Sequence, residues 1–122
     1  MDQNNDLVTA ALPLHPRDFL ILMALAGGQL HGYGLVKAIE EESSGEVRMD
    51  PANLYRSLRR LERNGWVEEL DDGGDESGVE RRRYFGLTAL GNAVVTAEAA
   101  RVSRLVSTAR AKGLLPSSEA ST

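Results

Sequence analysis

Four arginines, Arg56, Arg59, Arg60 and Arg63, stand within DPANLYRSLRRLERNG, residues 50–65. A guanidinium is always charged and bonds bidentately to phosphate oxygens or to O6 and N7 of guanine. At about 100° per residue, Leu54, Leu58 and Leu61 fall in one narrow apolar arc, and the four arginines gather on the opposite side. Such a helix would be held to a core by leucines and would offer guanidinium groups outward, as a helix lying in a DNA groove does. A solvated arginine face on an ordinary surface helix fits this stretch equally well, so the choice rests on the rest of the chain.

Both ends of the arginine helix are marked. Asp50 is a good N-cap, Pro51 occupies the first helical position where its missing N–H costs nothing, and Asn64-Gly65 supplies a left-handed stop. Upstream, PRDFLILMALAGG reads as a helix begun at Pro16, ended by Gly27-Gly28, with Phe19, Leu20, Leu22, Met23 and Ala26 as its broad apolar side. After a turn at residues 29–32, a second helix runs from about Tyr33 to Glu42, with Leu35, Val36 and Ile39 inward, and Ser43-Ser44-Gly45 breaks it.

Downstream the period changes. Residues 66–70 (WVEEL) read as one strand and residues 81–87 (RRRYFGL) as its partner, with a Gly- and Asp-rich hairpin tip between them. Thr88 then caps a long helix reaching to about Lys112, stopped by Gly113, and SSEAST looks disordered. The chain therefore divides into a flexible N-terminal arm (1–12), a winged helix-turn-helix domain (13–87), a C-terminal helix (88–113) and a disordered tail (114–122). The fold class expected is mainly α with a small β-hairpin: a winged helix-turn-helix plus a long C-terminal dimerisation helix.

The wing changes the weighing of the arginines. Arg81, Arg82 and Arg83 stand at its base, and strand alternation puts Arg81 and Arg83 on one face with Arg82 pointing away. Seven of the 14 basic residues thus fall in two short clusters, while the acids collect in Glu40 to Glu42 and Asp71 to Glu76. A net charge of −4 at first argues against a nucleic-acid partner, but a local basic footprint matters more than the chain total. Two basic clusters in these two elements favour double-stranded DNA.

Other classes find little support. The 122 residues, 42% hydrophobic and 26% charged, suit one globular domain with a real core. With no cysteine, disulfides and thiolate metal sites are excluded, and His15 and His31 lack ligand spacing, so no metal site and no cofactor are expected. No nucleophile–base pair, carboxylate cleft or phosphate loop suggests an enzyme, and no catalytic residue is assigned. No apolar run reaches membrane-spanning length and MDQNNDL is unlike a signal peptide, so a cytoplasmic protein without membrane contact is expected. The rival reading is a winged helix used for protein–protein contact, in which the arginines meet acids on a partner.

Three stretches, HGYGLVKAIEE (31–41), NLYRSLRRLERNGWVEE (53–69) and RRRYFGLTALG (81–91), resemble the PadR family of bacterial transcriptional regulators. The resemblance covers about four fifths of the chain, which looks like a short member with one C-terminal helix. It implies a homodimeric repressor that binds an inverted repeat, often of the ATGT/ACAT type, and is commonly released by a small molecule. It also implies a DNA-backbone contact for Tyr55, against the alternative of a core-edge residue. Ala52 and Asn53 lie in the first turn, where recognition helices meet bases; Asn53 can pair with adenine or merely hydrogen-bond the helix start. His31 is expected to be a capping or core histidine, Tyr33 and Trp66 core residues, and Glu62 solvated. Gly32 and Gly34 are expected to allow close backbone approach.

The last helix carries more apolar residues than one domain can cover. Val95, Val102, Val106 and Ala109 step by seven, four and three, a heptad-like seam with Leu105 beside it, which is expected to pair with a second copy. A small-molecule effector, where one exists, would fit the dimer interface between the first and last helices. Some short relatives stack drug-like ligands on a tryptophan of the last helix; this chain has none there.

Overall fold

The computed structural model describes residues 3–71 and 83–116. Its elements, in chain order, are α1 (Gln3–Ala11), α2 (Pro16–Ala26), β1 (Leu30–His31), α3 (Gly32–Glu42), α4 (Pro51–Arg63), β2 (Val67–Asp71), β3 (Arg83–Leu87) and α5 (Ala89–Ala111). The mainly helical class with a small antiparallel sheet, and a long last helix, is as expected. The sheet has three strands in the order β1-β3-β2, one more than the expected hairpin. β1 pairs through Leu30 with Phe85 and through His31 with Tyr84. Two residues give no alternation to read, so only the pairing reveals this strand.

Four helices begin on side-chain acceptors. His15 accepts from the Arg17 N–H, His31 from Gly34, Asp50 from Asn53 and Thr88 from Gly91. α4 ends as its sequence promised. The Gly65 N–H bonds the Glu62 carbonyl and the Trp66 N–H the Leu61 carbonyl, with Gly65 at φ 83°.

The core gathers Ile21, Leu22 and Leu25 from α2, Leu35 and Ile39 from α3, the three α4 leucines, Val67, Phe85, Val94 and Val95. In α2 the inward face is Ile21, Leu22, Ala24 and Leu25; Phe19, Leu20 and Met23 are half-buried and Ala26 is exposed. That rotates the expected face. FLILMALA is apolar on nearly every side, so periodicity alone cannot orient it.

Residues 1–12 were expected as a flexible arm, and this is corrected: Gln3–Ala11 is a helix against α5, with Val8, Ala11 and Leu12 packed on the core. Nine weakly patterned residues make a marginal helix alone, and α5 supplies the apolar surface that stabilises it. The α1–α2 link is tied down as well. Glu98 of α5, whose side chain is 2% exposed, accepts from Arg101 Nε at 2.7 Å, Arg101 Nη2 at 2.8 Å and the Leu14 N–H at 3.3 Å.

Val95 is also corrected: at 5% exposure it belongs to the chain's own core, because it shares the inward side of α5 with Val94 and Glu98. Farther along α5, Val102, Val106 and Ala109 are half-buried and Leu105 is exposed. Leu114 and Leu115 are exposed, and residues 117–122 of the expected tail lie outside the described residues.

The Arg101 hydrogen bonds, aided by the Leu14 N–H and the Arg101 charge, outweigh burial and hold the Glu98 carboxyl below its ordinary range. A lowered carboxyl stabilises the fold above about pH 5 and loses that contribution as the pH falls through its folded value. Glu98→Gln should therefore cost about 1–3 kcal/mol at neutral pH. Urea unfolding at pH 7 and at pH 4 should show the difference between wild type and variant shrinking in acid.

Candidate nucleic-acid interface

α4 is oriented by what it buries. Leu54, Leu58 and Leu61 are 0% exposed, and each contributes about 1.5–3 kcal/mol by leaving water. Rotating the helix to hide its other side would expose all three. Arg56, Arg59 and Arg63 consequently stand in solvent beside the exposed Ala52, as the periodicity predicts.

The first turn of α4 is a hydrogen-bonded relay. Asp50 Oδ1 accepts from the Asn53 N–H at 2.8 Å and Asp50 Oδ2 from Asn53 Nδ2 at 2.9 Å. Asn53 Oδ1 in turn accepts from Arg56 Nη2. In the unbound chain the Asn53 amide thus bonds the helix start on one side and the Arg56 guanidinium on the other.

Arg60 has a different task from its neighbours. Its Nη1 and Nη2 donate to Asp18 Oδ2 and Oδ1, both at 2.9 Å, and the Asp18 side chain is only 8% exposed. The hydrogen bonds to Asp18 raise the Arg60 pKa further. Arg60 is corrected from a free guanidinium to a clamp joining the start of α2 to α4, because a carboxylate left inside without a charged partner is costly. The signal was an aspartate in the first turn of a helix that is apolar from Phe19 onward.

The clamp brings α2 beside α4, and Arg17, Asn53, Arg56, Ser57, Arg60 and Arg63 line a cleft of about 370 Å³. Arg17 was not anticipated. A position 39 residues before Arg56 shows no local spacing that would connect the two, and only the tertiary fold, with the Asp18–Arg60 pair bridging α2 and α4, does so.

Tyr55 is half-buried, its ring edge-on to Phe85 at 6.0 Å between centroids. Its hydroxyl lies so near Gly32 that a Cβ there would come within 2.6 Å, which explains the glycine. His31 caps α3 through Nδ1 and meets the Tyr84 ring edge-on. Tyr33 is corrected from core to surface: it is 70% exposed, stacked on His31, with Lys37 Nζ 5.8 Å above its ring. Two residues before Leu35, it points roughly 160° away from the buried side of α3.

On the wing, Arg83 is exposed and pairs with Glu69 on β2 at 3.4 Å. Such a solvent-exposed pair holds a guanidinium weakly. Arg81 and Arg82, with the hairpin tip, lie outside the described residues.

Residues 21–97 match the family described as "Transcriptional regulator PadR-like family". The chain belongs to this PadR-like family. Its members are transcriptional regulators rather than enzymes. The chain is 41% identical over 86 residues to the uncharacterized 37.1 kDa protein in transposon TN4556 of Streptomyces fradiae, matching 70% of this chain and 23% of that one. It therefore spans about a quarter of that relative's length. A PadR family transcription regulator from Clostridium difficile superposes with a TM-score of 0.65 at 20% identity, covering 76% of this chain and 93% of that one. Bacillus subtilis PadR in complex with operator DNA superposes with a TM-score of 0.58 at 19% identity, covering 68% and 46%. These likenesses give the PadR-like chain its winged-helix fold. Among the described residues no helix is long and apolar enough to cross a membrane.

The clamp has a measurable signature. Arg60→Ala should destabilise the fold by about 1–3 kcal/mol, since Asp18 is left buried without its partner. Arg59→Ala should stay within about 0.5 kcal/mol of wild type. Urea denaturation of the two variants separates clamp from surface.

Proposed function

We propose that this protein is a cytoplasmic, sequence-specific DNA-binding transcriptional regulator that acts as a homodimeric repressor on an inverted-repeat operator. The observation that carries the reading is the arginine face of α4, turned outward by three fully buried leucines in a winged-helix fold. Arg56, Arg59 and Arg63, with Ala52 and Asn53 in the first turn, read bases or grip the phosphates lining the major groove. Tyr55 borders the backbone, and Arg81, Arg82 and Arg83 of the wing hold the flanking phosphates.

A dimer follows from the outer half of α5. Val102, Leu105, Val106 and Ala109 form a stripe that a second copy covers, joined by the exposed Leu7 of α1. Two-fold symmetry then sets the two α4 helices about one DNA turn apart, which a palindromic site matches. Occupying a promoter in this way blocks transcription. A small-molecule effector at the α1–α5 seam between subunits would release the DNA by changing the spacing of the two helices.

The test is a gel shift on the DNA upstream of the protein's own gene, titrated with salt and with random competitor. The expected result is a shift that survives competitor, with a footprint over an inverted repeat. Arg56→Ala or Arg59→Ala should cost about 1–3 kcal/mol of binding on that site while random DNA is bound nearly as before, if the lost contact is to a base. A shift erased equally by random DNA, with both variants behaving as wild type, would refute the proposal.

A further inference from the structure

Resting on the DNA-binding reading, we propose that the cleft between α2 and α4 is a seat for a DNA backbone phosphate flanking the groove, with Arg17 as its principal ligand. The lining includes four arginines and no carboxylate. Arg60 is committed to Asp18, so the balance inside the cleft falls to Arg17, Arg56 and Arg63, none of which has an ion-pair partner among the described residues. Three uncompensated guanidinium groups around one concavity repel one another and are relieved by an anion.

The position of Arg17 is fixed from two sides. Its own N–H donates to His15 Nδ1 at 3.1 Å, and the next residue, Asp18, is bound bidentately to α4. The Arg17 backbone is therefore tied to the recognition helix through the Asp18–Arg60 pair, and its side chain borders the cleft. The first turn of α2 adds the positive end of its helix dipole. On α4, Arg60, Asn53 and Ser57 flank the outward crest formed by Arg56 and Arg63, and all three border this cleft. A duplex lying on the crest thus brings its sugar-phosphate strand to the cleft mouth. A phosphodiester fits the chemistry because the site offers charge and forked donors but no apolar wall for a base or an aromatic ligand.

This gives α2 a direct part in binding: it supplies affinity and register while α4 supplies sequence preference. The experiment is a salt titration of binding to an operator duplex and to a random duplex, using wild type, Arg17→Ala, Arg17→Lys and Arg56→Ala. For Arg17→Ala the expected result is a loss of about 0.9 in the slope of log affinity against log salt, equal on both duplexes. Its unfolding midpoint in urea should match wild type, because Arg17 is exposed. Arg17→Lys should keep the slope, because the charge remains, and bind less tightly for want of the fork. Arg17→Ala curves that superimpose on wild type, while Arg56→Ala weakens binding, would overturn the phosphate seat and leave the DNA reading intact. If wild type binds neither duplex, the DNA reading falls and takes the phosphate seat with it.

Discussion

The burial of Leu54, Leu58 and Leu61 is the constraint on which the rest of the structure depends. A 13-residue helix with so polar a surface would not stay folded alone, and this stripe is its main apolar attachment to the domain. Because the stripe is narrow, the helix has one stable rotation, and that rotation decides what the arginines can reach. The Asp18–Arg60 clamp then locks the same rotation from the side. Apolar burial supplies the energy, whereas the clamp adds direction, since a bidentate pair tolerates little turning.

The second constraint links α4 to α5. Gly65 and Trp66, which close α4, are bonded by Thr88: its N–H donates to the Trp66 carbonyl at 3.1 Å and its Oγ1 to the Gly65 carbonyl at 2.6 Å. Gly91, one turn into α5, leaves no room for a Cβ against the Trp66 backbone. The end of the arginine helix and the start of the long helix are thus one packed unit. Two turns farther along the same face, α5 holds the α1–α2 link through Glu98, which Arg101 steadies. A displacement of α5 would therefore carry the end of α4 with it.

Much of this was legible in the sequence because local signals agreed with tertiary ones. Asp50, Pro51 and Gly65 bound α4 where the structure bounds it, and the leucine arc gave its buried face. What escaped depended on partners distant in the chain. α1 needs α5 to be a helix, β1 needs β3 to be a strand, and Arg60 looked like its neighbours until Asp18 met it. Val95 fell into the heptad count because that spacing describes apolar positions without saying which surface covers them. Tyr33 was misplaced because an aromatic ring was assumed to be inward, although its position on α3, away from Leu35 and Ile39, says outward. Of the wing arginines, Arg83 is seen beside Glu69, and the other two lie beyond the described residues.

The central claim is that the outward arginine face of α4, presented twice by a dimer, reads a specific DNA sequence. Selection of bound duplexes from a fully random library, followed by sequencing, tests it without any assumption about the operator. The expected result is an enriched motif with two-fold symmetry, its half-sites centred about 10 base pairs apart, and loss of that enrichment when Arg56 and Arg59 are replaced by alanine. Recovery of random sequence, or a motif unchanged by those substitutions, would contradict it.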